Sequence, residues 1–250
     1  MCPLPLNDYH IMEKFYDWKP EHAIPFITII SASIGFAIYW FVALNERIKA
    51  FFFRKNEIEK AWIAYVTFQK LTGAFFLGVI PGIILLSISD YSLVDLGLNL
   101  RNFGESMIYI TGMGILIVII NFFAAKNPVN LEMYPQMRII VWNKGRVAIN
   151  SIAWVVYLFG YEFMFRGMLL IVCYHSFGFW PAVAINLSFY SATHIAKGLG
   201  ETIGTFPYGL LLCFITISTG SIAVAFATHL ILALSNDYFS IHFSPEMKFK

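Results

Sequence analysis

An all-α bundle of about seven membrane-crossing helices is the fold class that this sequence predicts, and two observations predict it. The first is composition. Of the 250 residues, 58% are hydrophobic and 13% are charged, with a mean hydropathy of +0.68. Soluble domains carry about 25% charged residues, and so large a deficit leaves too little polar surface to cover a globule of this length. The second is the grouping of apolar residues into runs of about 20, the length that crosses a hydrocarbon layer as a helix. In lipid every backbone N–H and C=O must be satisfied within the fold, which reads such runs as helices. The whole chain, 1–250, is expected to form a single integral membrane domain.

The runs follow in order. They are Ala23 to Leu44; about Ala61 to Ser87, interrupted by Gln69-Lys70, Gly78 and Pro81-Gly82; and Ser106 to Ala125. Then come about Ala148 to Val172, Pro181 to about His194, about Thr205 to Ser218, and Ser221 to about Ser235. The last three are short for full spans, so their ends are expected in protein-lined cavities rather than in lipid. Lysine and arginine gather in alternate connections. One holds Arg47, Lys49, Arg54, Lys55 and Lys60, and another Lys126, Arg138, Lys144 and Arg146. Lys197 follows the fifth run, and Lys248 and Lys250 close the chain. The intervening connections hold Arg101 or nothing. The positive-inside rule then predicts an outside N-terminus and a cytoplasmic C-terminus, in a protein expected in a bacterial plasma membrane. The mixture of aromatic and charged residues from Arg47 to Lys60 predicts a helix lying in the interface.

Other classes find no support. The first 22 residues hold Asp8, Glu13, Lys14, Asp17, Lys19 and Glu21, which is not the make-up of a cleavable signal peptide. Cys2 follows Met1 without an apolar leader, against a lipoprotein signal. Cys2, Cys173 and Cys213 lie far apart and supply neither a disulfide framework nor a CxxC metal spacing. A net charge of +2 carries no signal for nucleic acid, and none is expected as a partner. Phosphate loops, a GxSxG elbow and HExxH are missing. Lys70 is expected to snorkel toward an interface or to pair with a buried acid.

The chemistry is expected where polar groups intrude into the apolar runs. Gly160-Tyr161-Glu162-Phe163-Met164-Phe165-Arg166-Gly167 places a carboxylate and a guanidinium in the fourth. A charged side chain near a bilayer centre costs about 2.5–3.5 kcal/mol on insertion scales, so such groups persist when they pair or do work. Glu162 and Arg166 are four apart and share one helix face. The plain reading is a buried ion pair that locks two helices. The functional reading makes Glu162 a general base held by Arg166, its basicity raised by desolvation and limited by the cation. His194 ends the fifth run, with Lys197 and Glu201 beyond it, on one face if the stretch is helical; Gly198 and Gly200 argue for a loop. His229 lies inside the seventh, with Asn236 and Asp237 on about the same face. Each histidine alone fits an ordinary buried hydrogen bond. Three polar sites in three separate runs make a common cavity, reached from the cytoplasmic side, the stronger reading.

In order and spacing these sites resemble the CPBP family, the CAAX-prenyl-protease and bacteriocin-processing membrane proteins also called the Abi family. The family pattern is Glu-Glu-x-x-x-Arg, Phe-x-x-x-His and His-x-x-x-Asn or Asp on successive helices. Here these read Tyr161-Glu162-x-x-x-Arg166-Gly167, Tyr190-x-x-x-His194 and His229-x-x-x-Ala233. Ser92-Leu93-Val94-Asp95-Leu96-Gly97-Leu98 looks like the segment that precedes the family core, and Thr219-Gly220-Ser221-Ile222 like the lead-in to the third motif. The resemblance covers residues 92–237. Tyr161 replaces the first glutamate, usually assigned as the water-activating base, and Ala233 replaces the oxyanion asparagine. The chain looks like a branch with a single glutamate before its Phe-Arg-Gly, matched by Glu162, Lys197, Glu201 and Asp237.

The resemblance implies an intramembrane endopeptidase that cuts a peptide or membrane-protein substrate at the cytoplasmic side. Glu162 or Glu201, with His194, would polarise water. His229, with Asn236, would stabilise the oxyanion, and Arg166 would hold Glu162. Tyr190, Asn236 and Asp237 are expected at the substrate. Glu201 is expected to turn back toward His194 and replace the missing glutamate; its plainer role is a carboxylate at a helix N-terminus. A zinc ion on His194 and His229 is left open by the family's reading as metal-dependent. The other reading is a catalytically inactive CPBP-like protein that binds a peptide, a prenyl chain or a partner. A proton-relay transporter would require inverted repeats, and none is evident.

Overall fold

The computed structural model describes residues 18–250; Cys2 and the acidic and basic groups at positions 8 to 17 lie outside them. The described residues form a helical membrane bundle. Its elements are α1 (Ala23–Ala43), α2 (Glu46–Lys55), α3 (Ile58–Ile88), α4 (Phe103–Ala124), α5 (Pro128–Met133), α6 (Lys144–Phe177), α7 (Phe179–Ala192), α8 (Leu199–Thr219) and α9 (Ala223–Phe243). Two short strands, β1 (Val141–Trp142) and β2 (Lys248–Phe249), pair in parallel.

Six of these helices are long and apolar enough to cross a membrane. The fifth apolar run is instead α7, whose 14 residues rise only about 21 Å at 1.5 Å per residue. Of the seven expected runs, six are thus long helices, and the fifth, expected to be short, is short. The cause is local: α6 continues to Phe177, and Gly178 takes φ +80, a left-handed turn open to glycine. The last two runs differ. α8 and α9 have 21 residues each, because Glu201, Thr202, Asn236 and Asp237 extend them beyond their apolar stretches and find protein partners.

The helices alternate between two ends of the bundle. At one end, the Ala43 carbonyl accepts hydrogen bonds from Tyr65 and Gln69. Glu59 there pairs with Arg146 at 2.8 Å and accepts from the Ile140 N–H. At the other, Tyr91 meets His175, and Asn99 and Asn102 donate to the carbonyls of Gly220 and Thr219. The first end collects α2, the 126–146 connection, Lys197 and the C-terminus, and with them nearly all the loop lysines and arginines. The Asn45 side chain caps α2 by accepting from the N–H groups of Arg47 and Ile48, and Phe52 and Phe53 pack α2 on Tyr65 and Trp62.

α6 is the central helix: 78% of its most apolar stretch is buried, against 17% for α4. α1 presents Phe26, Ile30, Ile34, Ile38 and Phe41 outward, a stripe spaced for one helix face and suited to lipid. α3 and α6 approach through small residues, as membrane helices do. A Cβ on Gly78 would lie 2.6 Å from Gly160 Cα. Gly78→Ala is therefore expected to force the two helices apart and cost about 1–3 kcal/mol. The readout is a lowered unfolding midpoint in detergent. Gly104→Ala, where an added Cβ meets nothing within 4 Å, should leave the midpoint in place.

Candidate active site

Glu162 ends the α-helical part of α6, and a π-helical stretch, Phe163–Leu170, follows it. Such stretches are rare and recur at functional sites. Neighbours secure this one. Asn186 on α7 donates to the Phe165 carbonyl at 2.6 Å, and Gly167 lets the Leu96 carbonyl come so close that a Cβ would sit 2.8 Å from it. Arg166 and Glu162 are both 0% exposed, with Nη1 and Oε2 3.0 Å apart. The contact is one of charge, since no guanidinium N–H is directed at an acceptor among the described residues. The guanidinium also lies 4.3 Å from the Tyr190 ring centroid, a cation–π contact in a desolvated setting. The ion pair expected at spacing four is present.

The other Glu162 oxygen, Oε1, lies 2.6 Å from His229 Nδ1 on α9. An ionised carboxylate only accepts, so Nδ1 carries a proton and donates it to Oε1. The sequence reading had Glu162, or Glu201, act on water with His194; in the structure the histidine in contact with Glu162 is His229. Tyr161 stands edge-on to the His229 ring at 5.5 Å and packs on Phe165 at 4.6 Å. Tyr208 on α8 donates to Thr228, one residue before His229.

His194 follows α7. Its Nδ1 lies 2.9 Å from the Tyr190 carbonyl and 3.0 Å from Thr193 Oγ1, so it too holds its proton on Nδ1. The Tyr190 ring packs at a tilt against His194, with centroids 4.9 Å apart, and edge-on to His229 at 6.5 Å. Tyr161 donates to Thr193 at 2.7 Å, and Thr193 donates to the Tyr190 carbonyl. The structure thus joins Glu162, Arg166, His229, Tyr190 and His194 in one group. Tyr161 and Thr193 are its connecting hydroxyls. Thr193 escaped the sequence reading because a threonine at a helix end carries no signal of its own.

Three expected site residues go elsewhere. Glu201 makes no hydrogen bond to His194. Its carboxylate accepts from Tyr134 at 3.0 Å and pairs with Lys197 at 3.6 Å. Gly198, at φ +95, turns α8 so that Glu201 faces the 126–146 connection. Burial alone would lower Lys197, but Tyr134 and Glu201 outweigh it and push its ammonium up to about 12. Asp237 accepts from Asn150 at 2.8 Å and from the Trp154 indole at 2.7 Å, which ties α9 to α6. Asn236 exchanges hydrogen bonds with Asn130. Both lie two turns from His229, toward the basic end. Lys70 does not snorkel: it is 4% exposed, bonded to Gln136 and seated over the Trp154 ring. Ala233 packs on Trp154 and Leu158.

A cavity of about 410 Å³ leads from the basic end, past Lys49 and Arg138, to Tyr161 and Thr193. Tyr161 and Thr193 line it, whereas Glu162, Arg166, His194 and His229 do not. A catalytic zinc takes three protein ligands and an open position. Glu162 and His229 meet, but among the described residues no three histidine, cysteine, aspartate or glutamate side chains converge. The donor set does not make such a site, and no step below runs through a metal.

The segment holding Glu162, Arg166, Tyr190, His194 and His229 matches the family model described as type II CAAX prenyl endopeptidase Rce1-like, over residues 143–235. This stretch is similar to the Rce1-like endopeptidases, a family of CAAX-type intramembrane proteases, and with the helices before it makes an integral membrane protein. The matched stretch comprises all of α6 and α7, α8, and α9 as far as Ser235; residues 92–142 and 236–237 of the expected core lie outside the match. The Ser92–Leu98 segment nevertheless packs on it, since the Gly97 carbonyl accepts from Ile222 at 3.0 Å. No curated protein and no solved structure matches the chain.

Proposed function

We propose that the chain is an intramembrane endopeptidase in which the Glu162–His229 pair activates water. The 2.6 Å contact of Glu162 Oε1 with His229 Nδ1 carries this reading. Glu162 holds the ring and stabilises the imidazolium that forms, while Nε2 takes the water proton as hydroxide adds to the scissile carbonyl. Nε2 then returns the proton to the leaving amine, and the new carboxylate takes the hydroxyl oxygen. Arg166 keeps Glu162 ionised. The single Tyr161 hydroxyl hydrogen is held by Thr193, and it turns from Thr193 to donate to the oxyanion, the stabilisation that Ala233 does not supply. His194 positions Thr193 and, through it, Tyr161. The positive-inside rule turns the basic end, and the mouth of the cavity, to the cytoplasm. The substrate is a peptide or the tail of a membrane protein.

Two observations favour a second reading, a CPBP-like protein that binds without cutting. Glu162 is completely enclosed, and tyrosine stands where the family has its first glutamate. The test is the purified chain in nanodiscs with a reporter peptide carrying a prenylated cysteine near its C-terminus, followed by mass spectrometry. Release of a C-terminal fragment, lost in Glu162→Gln, is expected. Saturable binding of an intact peptide would select the second reading.

A further inference from the structure

Asn186 on α7 reaches α6 at the peptide that leads into Arg166. It is 0% exposed, and its Nδ2 donates to the Phe165 carbonyl at 2.6 Å. Its Oδ1 accepts from the Cys213 thiol of α8 at 3.3 Å. These two contacts fix the amide, for turned over it would set its own oxygen against a carbonyl oxygen. The carbonyl belongs to the π-helical stretch Phe163–Leu170, where the pitch departs from the hydrogen-bond pattern of an α-helix. The hydrocarbon layer around the bundle offers it no other donor.

Arg166 depends on such a hold. Among the described residues no acceptor takes any of its guanidinium N–H groups, so directed bonds do not steer the side chain. What places it is its backbone at one end and, at the other, the Tyr190 ring, 4.3 Å from the guanidinium. Both grips come from one face of α7, since Asn186 and Tyr190 are four residues apart, and His194 follows at the same spacing. We propose that Asn186 is a positioning residue for the cleavage reaction. It holds the Phe165–Arg166 peptide in the π-helical pitch and so keeps the guanidinium 3.0 Å from Glu162, while Glu162 holds His229. This rests on the peptidase reading. Without the amide a buried carbonyl loses its donor, the stretch relaxes toward α-helical pitch, and Arg166 turns about the helix axis relative to Glu162.

Two measurements on the full chain test this, and the first needs no cleavage. Unfolding free energies in detergent are compared for Asn186→Leu in the wild type and in the charge-free Glu162→Gln/Arg166→Met background. Positioning predicts the larger loss in the wild type, because the pair that Asn186 holds is then present. Equal losses in the two backgrounds would mean that Asn186 only braces the helices, and would overturn the assignment. The second measurement is reporter cleavage in nanodiscs. Asn186→Leu should lower kcat by about 10–100-fold and leave KM within a few-fold of the wild type. Asn121→Leu is the comparison, for it removes the same kind of bond, from α4 to the Leu232 carbonyl at 2.8 Å, and should keep kcat within a few-fold. An equal fall in kcat in Asn121→Leu, or an effect of Asn186→Leu confined to KM, also overturns the assignment. If Asn186→Leu does not fold, Asn186→Ala takes its place in both measurements. A wild type that cuts no peptide sinks the peptidase reading, and the unfolding comparison then decides alone whether Asn186 holds Arg166.

Discussion

Arg166→Ala is expected to lower the stability of the bundle by about 3–5 kcal/mol, the cost of removing one member of a buried pair. The loss does not come from a strong bond. The guanidinium meets Glu162 at 3.0 Å without a directed hydrogen bond. It comes from what remains, a carboxylate at 0% exposure whose other partner is the His229 ring. Thermal unfolding in detergent checks this, and an unfolding midpoint equal to that of the wild type would show that Glu162 does not depend on Arg166. Adding Glu162→Gln to Arg166→Met should recover part of the loss, because the two together remove both charges. Activity would be gone in every one of these variants.

His229→Ala should reduce cleavage by about 10²–10⁴-fold, as loss of a positioned base does, with the fold kept. His229 has one strong polar contact, to Glu162, and the Tyr208–Thr228 hydrogen bond beside it survives the substitution. Circular dichroism and unfolding would confirm the fold, and turnover would report the chemistry. Turnover within a few-fold of the wild type would remove His229 from the mechanism.

The membrane class, the spans and the Glu162–Arg166 pair could be read from the chain because each rests on a local rule, a long apolar run or a spacing of four. What could not be read depends on how helices meet. Glu162 belongs to His229 rather than His194 because α9 meets α6 at Phe159 and Tyr161, and no spacing along the chain records that crossing. Glu201 turns away from the site through Gly198, whose left-handed backbone was visible only as a warning of a loop. The stretch Phe163–Leu170 changes helical pitch through contacts from Asn186 and Leu96, both distant in sequence. Lys70 was expected to snorkel or to pair with a buried acid because Gln136 and Trp154, its neighbours, lie in other segments. The short α7 and the long α8 and α9 show the same limit, for hydropathy marks where lipid is acceptable and not where a helix stops.

The central claim is that Glu162 and His229 act as one unit on the water, and a double-mutant cycle tests it most directly. The kcat/KM for reporter cleavage would be compared among wild type, Glu162→Gln, His229→Ala and the double variant. The pair predicts that the double variant is no worse than His229→Ala alone, since Glu162 acts through the ring that is already missing. A double variant whose loss equals the product of the two single losses would show that the residues work independently and would contradict the account.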